Sequence, residues 1–408
     1  MAEDSPTAAL LTPEAVRERS HELFDLGLDN RLQAWVVQPE AMAATADLVA
    51  EVVRTNHPDL KVPYHARTRH FMPDGAETLA LIAAATSDDP AALLRAQIDL
   101  TVVSVLLDAG AGMAWRYRDA ATGKAYARSE GLAMASLAMF ADGAFADDGT
   151  SPRADAARLR GMTAEELGRG LQVGPDNPLT GLEGRAALLR RLGETLAATP
   201  AVFARVQPPR PSGLVDALAG QLVDGALPAR AILIALLRHL GPIWPGRETL
   251  DGVNLGDCWR HHGIHRADAS AGLIPFHKLS QWLTYSLVEP LEAAGIPVTG
   301  IDALTGLPEY RNGGLFLDMG VIRPRDPAVF AAEHAPGDIL VVEWRALTVA
   351  LLDAIAPMVR ARLALTAEDF PLARVLEGGT WWAGRRLAQE RRADGGPPLR
   401  IVSDGTVF

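Results

Sequence analysis

Met162-Thr163-Ala164-Glu165-Glu166 is the stretch on which the fold class turns. The Thr163 hydroxyl can accept a hydrogen bond from the open first turn of a helix. Glu165 and Glu166 then place negative charge where the helix dipole is positive. Thr163 and Glu166 also have capping-box spacing. The same grammar recurs at Leu11-Thr-Pro-Glu14 and Leu365-Thr-Ala-Glu-Asp369, so three helix starts are expected. Outward from these starts, apolar residues recur at helical spacing over 79–85, 98–107, 188–196, 231–240, 279–291 and 347–359. Strand signals are short: 35–37, 339–342 and 399–402, with 406–408 as a further candidate. Strands and helices do not alternate, and no internal repeat is visible. The expected fold is mainly α with a small β element. Residues 1–240 form a helical N-terminal part, 241–360 a motif-bearing core, and 361–408 a last helix and short strand, all in one extended unit. Gly143–Arg153 and Pro208–Gly213 are the linker candidates, and Arg391–Pro398 reads as a surface loop.

The 408 residues are 48% hydrophobic, enough for a large core. A net charge of −11 argues against a nucleic-acid surface. A single cysteine, Cys258, excludes an intrachain disulfide and fits a reducing cytoplasm. The N-terminus has no basic region before an apolar run, so no signal peptide is expected. Runs such as 231–237 and 348–355 are too short to span a bilayer, and no membrane association is expected. All but three of the 39 basic residues are arginine, which singles out Lys61, Lys124 and Lys278.

The chemistry concentrates in four segments: Leu250-Asp-Gly-Val-Asn-Leu-Gly-Asp-Cys-Trp259, Phe276-His-Lys278 with Gln281-Trp282, Pro308-Glu-Tyr-Arg-Asn312, and Val342-Glu-Trp-Arg345. Carboxylates, amides and indoles crowded this way suit a pocket for a ligand rich in hydrogen-bonding groups. Asp251 is equally readable as a helix-capping acid and as a substrate ligand. Glu343 sits among apolar residues, so it is expected either to pair with Arg345 or Arg311 or to titrate high. Cys258, His261, His262 and His265 invite a metal reading. However, Gly263 breaks the helix that would align the histidines, and no zinc spacing is matched, so no metal is expected. Gly110 and Gly112 lack the third glycine of a dinucleotide loop, because position 115 is tryptophan. Tyr64-His-Ala-Arg-Thr-Arg-His70 is a cationic patch in which Arg67 and Arg69 could grip a phosphate.

The chain as a whole resembles the uracil-catabolism family, long known only as a domain of unknown function. The resemblance is carried by residues 62–71 (VPYHARTRHF), 102–117 (VVSVLLDAGAGMAWRY), 128–133 (RSEGLA), 177–185 (NPLTGLEGR), 250–259 and 306–319. From Leu250 to about Asp353 the motif order is also similar to that of the queuosine 5′-phosphate N-glycosylase (queuine salvage) family. The matching segments are Leu250-Asp251 to Asn254 and Trp259, Lys278 to Gln281, Glu309-Tyr310-Arg311, and Val342-Glu343-Trp344-Arg345. This chain departs from that pattern with glutamate for aspartate at 309 and leucine after Asn254. The resemblance implies a helical glycosylase-like domain that needs no cofactor or metal. It further implies cleavage of the C1′–N bond of a ribosylurea, or its 5′-phosphate, to release urea. Glu309 would then lie beneath the sugar with Asp251 as the second catalytic carboxylate. Asp251 and Asn254 would contact the ureido group. Trp259, Tyr310 and Glu343 would line the site, and Lys278 and Arg311, together with Arg67 or Arg69, would bind phosphate. A metal-dependent ureido amidohydrolase and a non-catalytic binding or regulatory partner are the alternatives.

Overall fold

The computed structural model describes residues 5–71, 89–108 and 110–402. The expected helix over 79–85 and strand over 406–408 lie outside them. Helices dominate, and the β element is a set of two-stranded pairings, so the fold is mainly α.

The chain divides into two compact units. The first comprises Met1–His65, Gly246–Gln281 and Gly300–Ser403, and the second Ala66–Pro245, Trp282–Thr299 and Asp404–Phe408.

The first unit is organised on one helix, Ile339–Leu363, whose residues 340–352 are all buried. Helices Pro13–Leu28, Met42–Asn56 and Tyr310–Asp318 pack against it. Thr12 caps Pro13–Leu28 by accepting from the Ala15 N–H, as its sequence grammar predicts. Trp35–Val37 forms a strand where expected, antiparallel to Ile322–Pro324. Residues 339–342 are a correction. Their Ile-Leu-Val-Val run reads as strand, but Asp338 precedes the helix start and the run continues into 25 helical residues. Burial on every side removes the apolar-polar alternation that would have separated the two readings. Leu365–Asp369 is a second correction. Thr366 accepts from the Asp369 N–H, but only a turn forms. Pro371 biases Phe370 away from helical geometry and stops it.

The second unit is built on helices Pro90–Leu107, Arg128–Ala141, Leu182–Ala198 and Ala229–Leu240. Thr163 and Glu166 make the expected reciprocal capping box on Ala164–Gly170. Pro90–Leu107 is long and apolar enough to cross a membrane, which corrects the expectation that every run is too short. In this protein 67% of its most apolar window is buried, as in a core helix.

Candidate functional site

Apart from Trp282, which belongs to the second unit, the four motif segments lie in the first unit, and their local geometry sorts them. Thr249–Leu250 pairs antiparallel with Val253–Asn254 across a two-residue turn. Asp251 and Gly252 both have positive φ, 51° and 75°. This is the Asp-Gly turn whose twist matches a hairpin. Asp251 is therefore exposed at the tip, and its Oδ2 accepts from Thr7 Oγ1 at 2.7 Å. Asn254 Oδ1 accepts from the Gly256 N–H at 2.9 Å, closing an Asx turn.

Asp257 is the hub of this region. Arg345 grips it with two parallel bonds, Nη1 to Oδ1 at 2.7 Å and Nη2 to Oδ2 at 2.8 Å. Trp259 Nε1 donates to Oδ1 at 2.7 Å, and the Lys278 backbone N–H donates to Oδ2 at 3.0 Å. The Asp257 carbonyl also receives the Phe276 and His277 N–H groups. Burial alone would raise the Asp257 pKa, but the Arg345 charge and these donors hold it well below the usual carboxylate range. With its lone pairs occupied, Asp257 is a fixed anchor, unsuited to serve as a base. It ties three motif segments together: 250–259, the start of the Lys278–Ala293 helix, and Val342–Arg345. The Arg345 guanidinium also lies over the Phe276 ring at 4.3 Å. Arg247 lies over the Trp259 ring at 5.0 Å.

Glu343 is paired differently from the expectation. Its oxygens accept from the Gln33 N–H at 2.9 Å and the Ala34 N–H at 2.8 Å, and Oε1 lies 3.2 Å from His261 Nε2. Glu343 thus takes neither Arg345 nor Arg311 as partner, and it is wholly buried. Arg345 is unavailable to it because Asp257 holds both ends of the guanidinium fork. His261 Nδ1 in turn accepts from the Gly263 N–H, and the His262 ring stacks on His261 at 4.6 Å. Burial pushes the Cys258 thiol pKa up. Among the described residues no cluster of three or more His, Cys, Asp or Glu side chains is arranged to hold a metal ion.

Glu309 and Arg311 lie at the start of the Tyr310–Asp318 helix. Glu309 caps it, Oε1 accepting from the Asn312 N–H at 2.6 Å and Oε2 from the Arg311 N–H at 2.9 Å. The carboxylate is 9% exposed and rigidly placed. Arg311 is 8% exposed, and its guanidinium lies 4.0 Å from the Trp381 ring centroid and 5.5 Å from that of Tyr310. Among the described residues it has no carboxylate or hydrogen-bond acceptor of its own. Contact with aromatic faces stabilises such a cation by up to about 2 kcal/mol, yet leaves its planar N–H fork without an oxygen partner.

Trp381 was not singled out from the sequence. It follows a π-helical turn, Leu376–Thr380, a distortion often found at functional sites. Glu377 of that turn accepts from or donates to His65 Nδ1 at 2.7 Å, depending on protonation, and the His65 ring packs beside Trp381. The adjacent tryptophans of Gly378-Gly-Thr-Trp-Trp382 were the available signal.

Arg67 and Arg69 belong to the second unit. Arg67 is fully buried, donating to Ser104 Oγ at 2.8 Å and the Ser129 carbonyl at 3.1 Å, with Asp108 at 3.0 Å. Arg69 pairs with Glu289. A cavity of about 210 Å³ nearby, between Phe71, Leu100, Pro290 and Ala293 with Thr68, Gln97, Thr101 and Glu289 completing its wall, is mostly apolar and contains none of the expected site residues.

Fold and site together define a mainly α-helical protein with a rigid carboxylate and an open, aromatic-backed guanidinium at one helix mouth. The chain belongs to the family described as "Protein of unknown function (DUF1688)", whose model matches residues 9–408. It is 38% identical to "Protein urg3" of Schizosaccharomyces pombe, over 98% of both chains. It is 35% identical to "Uracil catabolism protein 4" of Lachancea kluyveri, over 100% of both.

Proposed function

We propose that the protein acts in uracil breakdown as an N-ribosyl hydrolase, cleaving the C1′–N bond of a ribosylurea to release urea. The end-to-end similarity to a protein named for uracil catabolism supports the pathway. The observation that carries the chemistry is the fixed Glu309 carboxylate next to the open Arg311 in one buried corner.

Breaking the C1′–N bond builds positive charge on the sugar. A carboxylate already oriented in the resting protein stabilises that charge without reorganising, an effect of roughly 10²–10³ in rate for a single preorganised group. Glu309 has this role. Asp251 accepts an N–H of the ureido group through Oδ1, its other oxygen being held by Thr7. The departing ureido nitrogen takes the bonding electrons and a proton, and water adds to C1′, giving urea and a free sugar. Incubating purified protein with ribosylurea and with its 5-phosphate tests the reading. Urea appearing in proportion to free sugar supports it, and no urea from either compound refutes it.

A further inference from the structure

Glu309 stands at the end of an irregular segment, Leu304 to Glu309, that is buried at every residue. Buried backbone outside helices and strands must find its hydrogen-bond partners elsewhere. At the upstream end Gln281 supplies them. It is wholly buried in the first turn of the Lys278–Ala293 helix, and its amide meets Thr305 twice. Oε1 accepts from the Thr305 N–H at 2.8 Å, and Nε2 donates to Thr305 Oγ1 at 2.5 Å. Nε2 also donates to the Phe276 carbonyl at 3.2 Å, and the Thr305 hydroxyl donates onward to the Gly306 carbonyl at 3.3 Å. This pattern fixes the amide, because turning it over would set N–H against N–H. The Gln281 end is anchored in turn, since the Asp257 carbonyl receives the Phe276 and His277 N–H groups and its carboxylate the Lys278 N–H.

Between Thr305 and Glu309 the chain is stiff. A Cβ at Gly306 would lie 2.5 Å from Leu352 Cδ1, so this backbone is seated directly on the Ile339–Leu363 helix. Pro308 has a fixed φ and confines Leu307 to extended geometry. The Leu307 carbonyl accepts from the Glu309 N–H at 2.9 Å and from Asn312 Nδ2 at 3.2 Å. A displacement at Thr305 is therefore passed on to Glu309. We infer that Gln281 is a positioning residue for the catalytic carboxylate: its amide, clamped on Thr305, sets where Glu309 stands beneath the sugar. The inference rests on the ribosyl hydrolase reading for the role of Glu309.

The test is a double-mutant cycle in kcat with urea release as the assay, joined to amide hydrogen exchange. Gln281→Met keeps the length of the side chain and removes its bonds to Thr305. Because a misplacement of about 1 Å costs roughly 10²-fold in rate, it should lower kcat by about 10–10²-fold with KM within about threefold. In a Glu309→Gln background the same substitution should lower kcat by less than about twofold, since the carboxylate it positions is gone. A merely structural role would cost both backgrounds alike. Exchange reads the same link without turnover. Gln281→Met should speed exchange at the Arg311 and Asn312 amides, whose protons Glu309 accepts, by at least about tenfold and leave the Met42–Asn56 helix as it was. If Gln281→Met fails to fold, Thr305 decides: Thr305→Ser keeps the hydroxyl that Thr305→Val loses, so its kcat should be higher by about tenfold. Equal losses in the two backgrounds, unchanged exchange at Arg311 and Asn312, or equal kcat in the two Thr305 variants would overturn the inference. The two failures are distinguishable. No urea from either ribosylurea compound, with faster exchange at the two amides in Gln281→Met, removes the hydrolase reading and leaves the clamp. Urea release at full kcat in Gln281→Met removes the positioning role alone.

Discussion

Removing either partner of the Asp257–Arg345 pair should destabilise the first unit by different amounts. Asp257→Ala leaves Arg345, the Trp259 indole N–H and the Lys278 N–H without their acceptor. Arg345→Ala leaves Asp257 with the latter two donors still in place. Breaking a buried ion pair from one side costs about 3–5 kcal/mol. We therefore place Arg345→Ala near 3 kcal/mol and Asp257→Ala near 5 kcal/mol on this scale. At roughly 2–4 °C per kcal/mol for a unit of this size, the thermal midpoints fall by about 6–12 °C and 10–20 °C. The Asp257 pKa is depressed in the folded protein, so its contribution is complete above the ordinary value of 3.8 and is lost as pH falls through the folded-state value. The gap between wild type and Asp257→Asn should therefore narrow in acid. The assay is thermal unfolding of the two single variants and the double variant. Independent losses that simply add, or an Arg345→Ala cost below about 1 kcal/mol, would refute the assignment of Asp257 as the hub.

Glu309→Gln keeps the size of the side chain and one cap acceptor. It should lower kcat by about 10²–10³ while ligand affinity stays within about tenfold, because the charge matters most when C1′ is cationic; unchanged turnover contradicts the role. Asp251→Asn should leave stability within about 0.5 kcal/mol, since asparagine tolerates the positive φ of 51°. Asp251→Val should cost about 1–3 kcal/mol at the same turn, and equal melting shifts would contradict the strain argument. Asp99 of the second unit is pushed up to about 7 by burial, which outweighs Arg210 at 3.7 Å and the Ser212 N–H. A raised carboxyl means that the folded protein holds a proton the unfolded chain releases, so stability falls as pH rises from 3.8 to about 7. Asp99→Asn should flatten that slope in denaturant titrations, and an unchanged slope would contradict it.

The helix starts at Thr12 and Thr163 were legible because a cap is a contact between residues three apart. The start expected at Thr366 failed on Pro371, five residues on and outside the window that a cap inspects. Residues 339–342 were misread because a helix buried all round shows no periodicity. The residue types of the site segments were visible, but their pairings were not. Asp257 meets Arg345 across 88 positions, and Glu343 meets Gln33 across 310. No local pattern encodes such separations. The Trp381 platform was missed for a related reason. Its importance depends on Arg311, which reaches it only through the packing of Trp381–Arg391 on Tyr310–Asp318.

The most direct test of the account is which bond breaks. Turnover of ribosylurea, or of its 5-phosphate, in ¹⁸O-labelled water, followed by mass spectrometry of both products, locates the oxygen that enters. Cleavage at C1′–N predicts label in the sugar released at short times, before exchange through the open-chain sugar, and none in the urea. Label appearing in the carbonyl-derived product, with the C1′–N bond intact, would contradict the account.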